Sequence, residues 1–524
     1  MFRYKKLSMV LAALCSTALV LSACGSSDAA GAGESDSAAG EPVAGGVVRV
    51  AQISEPRSLD PAALSNTYAH HPVVGNALYG TLMINDIETL EVEYKMATGF
   101  TTDDGGSTFV LTLQPGLTFT DGTPFDAAAV EYNWRRIADP ATGSNGIRQA
   151  AQITGYEVVD PTTLKITLGA PNPHFAQGII ANSLNWIASP AALEKGTQAF
   201  DENPVGAGPF TLVRWTRQDA MEFEKNPNYW DAPKPYVDRL EVRAVGDATQ
   251  RANLISTAGA ELALETNWSS LAKIENAGMT TEIADAGGGQ IFAMNLRRAP
   301  FDDDRARRAV KMALDLEAMN TVIYNGDGQV PDSLFAETSP YYTDVAWATA
   351  DKEAAQQLFD ELAAEGKPVS FTFLSYPTQD SKMAGETVQA QLSAFDNVEV
   401  RVEVLDYAQA TARSNARDFD MMISSAIVQD PDYSLWTAFH GNSPGNFVGI
   451  NDPELNQALD AGRVAESTEE RKAAYEVVEQ RLAELNPAIF YIAAAPSVMA
   501  TSDVQGIRLY TLGSPLPEEL WLSD

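Results

Sequence analysis

The stretch Leu113-Gln114-Pro115-Gly116-Leu117-Thr118-Phe119-Thr120-Asp121-Gly122-Thr123-Pro124-Phe125-Asp126-Ala127 sets turn-forming residues between apolar ones. Asp121-Gly122 is turn chemistry, because Asp bonds nearby backbone and Gly adopts angles that side chains forbid. Downstream, Leu164, Ile166 and Leu168 alternate with period two, which places them on one face of a half-buried strand. They follow Asp160-Pro161-Thr162-Thr163, so Tyr156 to Leu168 reads as a hairpin. Arg239 to Ala244 alternates too, as do Val398, Val400, Val402 and Val404.

Helices interleave with these strands. Asp302 to Ile323 opens with three acids, which suit a helix N-terminus, and continues with Ala309, Val310, Ala313, Leu314 and Leu316 at helical spacing. Ser467-Thr468-Glu469-Glu470 is a capping box before a helix that runs to Leu485 and stops at Pro487. The class is therefore α/β. With 524 residues the chain is long enough for two or three lobes.

Charge excludes some partners. Seventy Asp+Glu against 36 Lys+Arg give a formal charge of −34, a field that repels nucleic acid and anionic lipid surfaces. After the first 25 residues no apolar run approaches a bilayer-spanning length. The N-terminus reads as an export signal: Arg3, Lys5 and Lys6 precede a mostly apolar run, Leu7 to Val20, that ends in Leu21-Ser22-Ala23-Cys24. That ending resembles a bacterial lipoprotein signal, which implies removal of residues 1–23 and acylation of Cys24. The only other Cys, Cys15, would leave with the signal, so the mature chain would have no disulfide. Residues 24–46 are dominated by Gly, Ala, Ser, Asp and Glu and read as a flexible tether. The expected location is extracytoplasmic, on the periplasmic side or the outer surface, with the lipid as the only membrane contact.

Catalytic patterns are scarce. Gly366-Lys367 runs into Pro368, so no Walker loop forms, and neither His-Glu-x-x-His nor Gly-x-Ser-x-Gly occurs. His70-His71 is a poor chelating pair if neighbouring side chains of an extended chain point to opposite sides, and it reads instead as a turn or surface pair. His440 lies beside Gly441-Asn442-Ser443-Pro444, a loop composition. No cofactor, no metal and no catalytic residue is expected. A surface-anchored hydrolase is the rival from another class, and a structural or chaperone-like surface lipoprotein is the third reading.

The order of segments resembles the family 5 extracytoplasmic solute-binding proteins of ABC importers that serve peptides, nickel and related solutes. The resemblance opens at Gly45-Gly46-Val47-Val48-Arg49-Val50 and Ser58-Leu59-Asp60-Pro61, and its most specific part is the stretch quoted first. It continues through Pro204 to Phe210, Asn226 to Trp230, Asn295 and Pro300 to Asp303. It implies a periplasmic-binding-protein-like type II fold with three lobes and a cleft between lobes one and three. Lobe one would comprise 47–78, 205–286 and 495–524, lobe two 79–204 and lobe three 287–494. The chain would cross the hinge at Gly287-Gly288-Gly289 and near Ala493-Ala494-Ala495, where a Gly triplet suits changing backbone angles.

By the same resemblance, ligand contacts would come from strand ends at the cleft: Asn267 and Trp268, Gln290 and Phe292, and Tyr376. Trp268 suits a ligand face or the core equally. The segment Ile423 to Trp436 resembles the family's late Asp-Pro loop, with Val428, Asp430, Tyr433 and Trp436 as candidate contacts. Peptide-binding members carry an Asp ahead of that Pro to meet the peptide amino group. Val428 at the matching position offers no carboxylate, while Asp430 would substitute if the loop bends differently. The partners implied are a small solute, an oligopeptide first, and the permease and ATPase subunits, with the chain itself a monomer. A nickel chelate, an opine or an oligosaccharide stays open.

Overall fold

In the computed structural model, residues 40–66, 70–345, 347 and 349–523 are described. Cys24, the signal and most of the tether lie outside them. From Glu41 to Asp524 the chain forms one compact unit.

The quoted stretch links a strand to a helix. Thr108–Leu113 is a strand, and beyond it Phe119 and Thr123 close a turn in which Thr123 N–H donates to Asp121 Oδ1 at 2.9 Å. Leu117, Phe119 and Phe125 are buried, the last two with rings 5.1 Å apart. Asp126 then caps helix Ala127–Ala138 by accepting from Ala129 N–H, a contact worth about 1 kcal/mol. Thr108–Leu113 pairs on one side with Ala97–Thr101 and on the other with Thr163–Leu168. Ile153–Asp160 completes this four-stranded antiparallel sheet as the hairpin partner of Thr163–Leu168, as the alternation of Leu164, Ile166 and Leu168 predicts.

A seven-stranded sheet runs in the order Thr280–Ile283, Ser497–Ala500, Leu262–Glu265, Val47–Gln52, Arg239–Ala244, Met221–Lys225, Phe210–Trp215. Val47–Gln52 is parallel to both neighbours and fully surrounded by partners, which suits its Val-rich composition. Gly206 serves close approach here: a Cβ on it would stand 2.0 Å from Leu78 O, at the end of helix Pro72–Tyr79. Its φ is not positive, so contact with the helix, not unusual backbone angles, requires glycine.

A five-stranded sheet has the order Val398–Val404, Val369–Ser375, Met421–Val428, Gly287–Met294, Ala488–Ala493. The Gly triplet lies inside its fourth strand, with Gly287 opposite Val428 and Gly289 opposite both Ala426 and Ala493. It is therefore paired backbone, not a loop. The segment read as one helix from Asp302 to Ile323 is two, Asp304–Ala313 and Leu316–Tyr324. Leu314 is extended, and Asp315 starts the second helix by accepting from Ala318 N–H, so a cap inside the apolar pattern overrides its period. The capping box is as expected: Ser467 Oγ accepts from Glu470 N–H, and the helix Thr468–Leu485 ends at a left-handed Asn486 before Pro487.

Candidate functional site

A cavity of about 380 Å³ opens where connecting segments of the three larger sheets meet. The loop after Val47–Gln52 supplies Ser65, Asn66, His70 and His71; the segments around the four-stranded sheet supply Asn145, Arg148, Asn182 and Ser183; and the loop after Met421–Val428 supplies Tyr433.

His70 and His71 do not diverge, contrary to the extended-chain expectation. His71 begins helix Pro72–Tyr79 and leaves extended geometry, so both rings converge on Ser54 Oγ, at 3.0 Å from His70 Nδ1 and 3.3 Å from His71 Nε2. Nor are they a surface pair, since His71 is buried and His70 half-buried. Ser65 N–H donates to His71 Nδ1, which leaves the proton on Nε2 to bond Ser54; Ser54 can then donate to His70 Nδ1 and fix the His70 proton on Nε2. Burial, helped by the neighbouring His70 ring, pushes His71 down to about 4, and burial lowers His70 as well. The pair is thus neutral at pH 7 and adds no positive charge.

Arg148 supplies that charge. It is exposed to the cavity and forms no ion pair among the described residues. Its guanidinium lies close to Gly445, on which a Cβ would stand 3.0 Å from Nη1. With 70 acids in the chain, an Arg that has no ion pair among the described residues, in a cavity lined by no Asp or Glu, makes a positive site suited to a carboxylate.

Of the residues singled out from sequence, Tyr433 lines this cavity. Asn267 and Trp268 lie instead at a seam between the seven- and five-stranded sheets. Asn267 Oδ1 caps helix Trp268–Asn276 while its Nδ2 donates to Asp380 at 3.1 Å, and Trp268 Nε1 donates to Ala493 O at 2.9 Å. Burial raises the Asp380 pKa against the Asn267 hydrogen bond, which lowers it. Phe292 is fully buried and stacks on Tyr491 at 4.2 Å, so its ring has no face left for a ligand. Gln290 is half-buried in the same strand, and Tyr376 is half-buried with its N–H bonded to Ser381 Oγ.

The Asp-Pro loop is held by charge. Asp430 accepts from Arg471 at 2.9 and 3.3 Å, and Arg471, itself buried, also donates to Tyr341 and to Gly462 O. Asp430 is thereby engaged, which disfavours it as a stand-in for the carboxylate that Val428, buried in its strand, lacks. Asp432 accepts from Arg463 at 2.7 Å and from Asn172 at 3.0 Å. Trp436 donates to Asp460, stacks on His440 at 4.5 Å and lies under Arg463. His440 is buried and accepts from Asn442 N–H at Nδ1, so it is a structural residue and not a loop-surface one. Arg148, Asn66 and Ser54 were not singled out from sequence. They stand in no periodic pattern or motif, and only the scarcity of cations hints at Arg148.

The comparisons identify the class. Residues 91–446 match the model of the bacterial extracellular solute-binding proteins, family 5, and the chain belongs to that family. It is a solute-binding component of an ABC importer, acts outside the cytoplasm and is not an enzyme. The glutathione-binding protein GsiB of Escherichia coli K12 is 28% identical over 466 residues, 83% of this chain and 87% of its own. Two solved structures share the fold, each with a TM-score of 0.78. One is the binding protein AgaA of A. tumefaciens R10 in complex with agropinic acid, at 22% identity over 91% of this chain and 99% of its own. The other is DppA of Helicobacter pylori in complex with the peptide STSA, at 23% identity over 92% and 99%.

Proposed function

We propose that the solute is a peptide or peptide-like molecule held by its carboxylate at Arg148, in the cavity that Tyr433 also lines. The observation carrying this is a guanidinium without an ion pair among the described residues, in a cavity lined by no acid, a complement to a negative group and not to an ammonium. GsiB binds glutathione, which presents free carboxylates, and so fits the same chemistry. The absence of a carboxylate at Val428 and the engagement of Asp430 by Arg471 move recognition from the amino end of the solute to its acid end. An opine-type acid is the second reading, since Arg148 serves any carboxylate and AgaA binds agropinic acid.

The chain closes on the solute as lobes 47–78 with 205–286 and 495–524, lobe 79–204 and lobe 287–494 rotate, and the closed form gains contacts that the open form lacks. Asn267 and Trp268 act at the seam as closing contacts more than as ligand contacts. Cys24, acylated after removal of 1–23, tethers a monomeric body to the outer side of the membrane through 24–46, from which it passes the solute to the permease.

The test is thermal unfolding against glutathione, short peptides, their carboxyl-amidated and amino-acetylated forms, opines, nickel–histidine and oligosaccharides. A ligand at a hundredfold its Kd adds about 2.7 kcal/mol. Free acids should stabilise, amides should not, and amino-acetylation should matter little. Arg148→Ala should weaken binding by about tenfold or more, the value of one charge-assisted hydrogen bond. Equal binding of acid and amide, or of wild type and Arg148→Ala, removes the assignment.

A further inference from the structure

A second cavity, about 490 Å³, lies away from this cleft and beside the helices that pack on the five-stranded sheet. Leu314, Val330, Leu482, Pro487 and Phe490 make apolar walls, and Lys311 and Trp347 line it as well. Lys311, on helix Asp304–Ala313, is half-buried with its ammonium 5.6 Å from the centroid of the Trp347 ring. Among the described residues it has no ion-pair partner, although acids outnumber cations nearly two to one. Trp347 Nε1 is buried and has no hydrogen-bond acceptor among the described residues. Burying a cation without an anionic partner is costly, and Lys311 is held half-buried beside these apolar walls.

We propose that this cavity is a second binding site, taking a small monocarboxylate with an apolar or aromatic tail, its carboxylate at Lys311 Nζ beside the Trp347 ring. The tail lies along Leu482 and Phe490. Asp315, Glu317 and Asp332 are the other titratable groups lining the cavity. Glu317 and Asp332 are exposed, and Asp315 is occupied with Ala318 N–H, so they sit as hydrated charges at the mouth. Their field rejects a doubly charged guest and leaves a single carboxylate as the acceptable anion. Burial holds Lys311 down to about 8, and a bound carboxylate would restore its proton.

The inference is independent of the solute assigned to the cleft. Its test is calorimetric titration of the full chain with 4-phenylbutyrate and with the neutral isostere 4-phenylbutanol. One saturable site is expected for the acid, with the alcohol about tenfold weaker or worse. Lys311→Met should bring the acid down to the affinity of the alcohol, and Lys311→Arg should retain the preference. Arg148→Ala should change nothing. At pH 8.5 binding should take up protons, measured from buffers of different ionisation enthalpy, because most of the free Lys311 is then neutral. Absence of a saturable site, equal affinity for acid and alcohol, loss of binding in Arg148→Ala, or an unchanged preference in a folded Lys311→Met protein would each overturn the proposal.

Discussion

Replacing Arg471 by Met should be among the most damaging single changes that spare the main apolar core. The guanidinium is 2% exposed, spans Asp430, Tyr341 and Gly462 O, and rests near the rings of Tyr341 and Tyr475. Without it, Asp430 keeps, among the described residues, only the Asp432 N–H at 3.1 Å as a neighbouring donor. Removing one partner of a buried pair costs roughly 3–5 kcal/mol, because a charge stays behind without compensation. Unfolding entropy is about 2.1 cal/mol/K per residue, or roughly 1 kcal/mol/K for ~480 folded residues, so the cost corresponds to a Tm lower by about 3–5 °C. Differential scanning calorimetry measures this directly. Asp430→Asn should cost a similar amount, yet the double variant Asp430→Asn/Arg471→Met should be no less stable than either single one, since no unpaired charge remains. A single-variant loss below about 1 °C, or a double variant whose loss is the sum of the two, would refute the claim that this pair holds the Asp-Pro loop.

Gly289→Ala should lower the yield of folded protein or the Tm by several degrees: φ is +150°, and a Cβ would sit 2.1 Å from Ile492 O, a backbone atom that cannot step aside. Glu518 gives a pH signature. Burial raises its carboxyl to about 7, and its Oε2 has no hydrogen-bond partner among the described residues. The folded state therefore binds this proton more tightly than the unfolded one, and stability falls as pH rises from about 4.5 to 7 by roughly 3 kcal/mol. Glu518→Gln should be more stable than wild type at pH 8 and should lose this slope in urea titrations. His71, lowered to about 4, acts with the opposite sign, losing stability as pH falls below about 6.5, so the difference between the two proteins is the informative curve.

Much of the fold was legible because strands with one buried face announce it. Leu164 and Ile166 face the core while Thr167 between Ile166 and Leu168 is exposed, and that contrast is what period two reports. The capping box at Ser467 was readable for a similar reason: one side chain satisfies one known donor. The break at Leu314-Asp315 escaped because apolar spacing continues through it, and a single Asp outweighs the period locally. The site was less legible. Asn267 and Trp268 stand at a strand end, as a ligand contact would, yet they bond Asp380 and Ala493, positions far along the chain that no local pattern connects to them. The His70-His71 geometry failed on an assumption of extended backbone that helix Pro72–Tyr79 cancels.

The seven-stranded sheet sets an order on the making of the protein. Ser497–Ala500 stands between Leu262–Glu265 and Thr280–Ile283, so the strand at the interior of that sheet is among the last pieces to leave the ribosome. Until it arrives, Leu262–Glu265 offers an open edge to any passing chain. The four-stranded sheet around the opening stretch has no such wait, since all its strands lie between Ala97 and Leu168. A nascent chain stalled before residue 497 should accordingly hold a protease-resistant core within 79–204 and a labile remainder. Trimming the C-terminus should harm the molecule far more than the loss of a terminal tail ordinarily does.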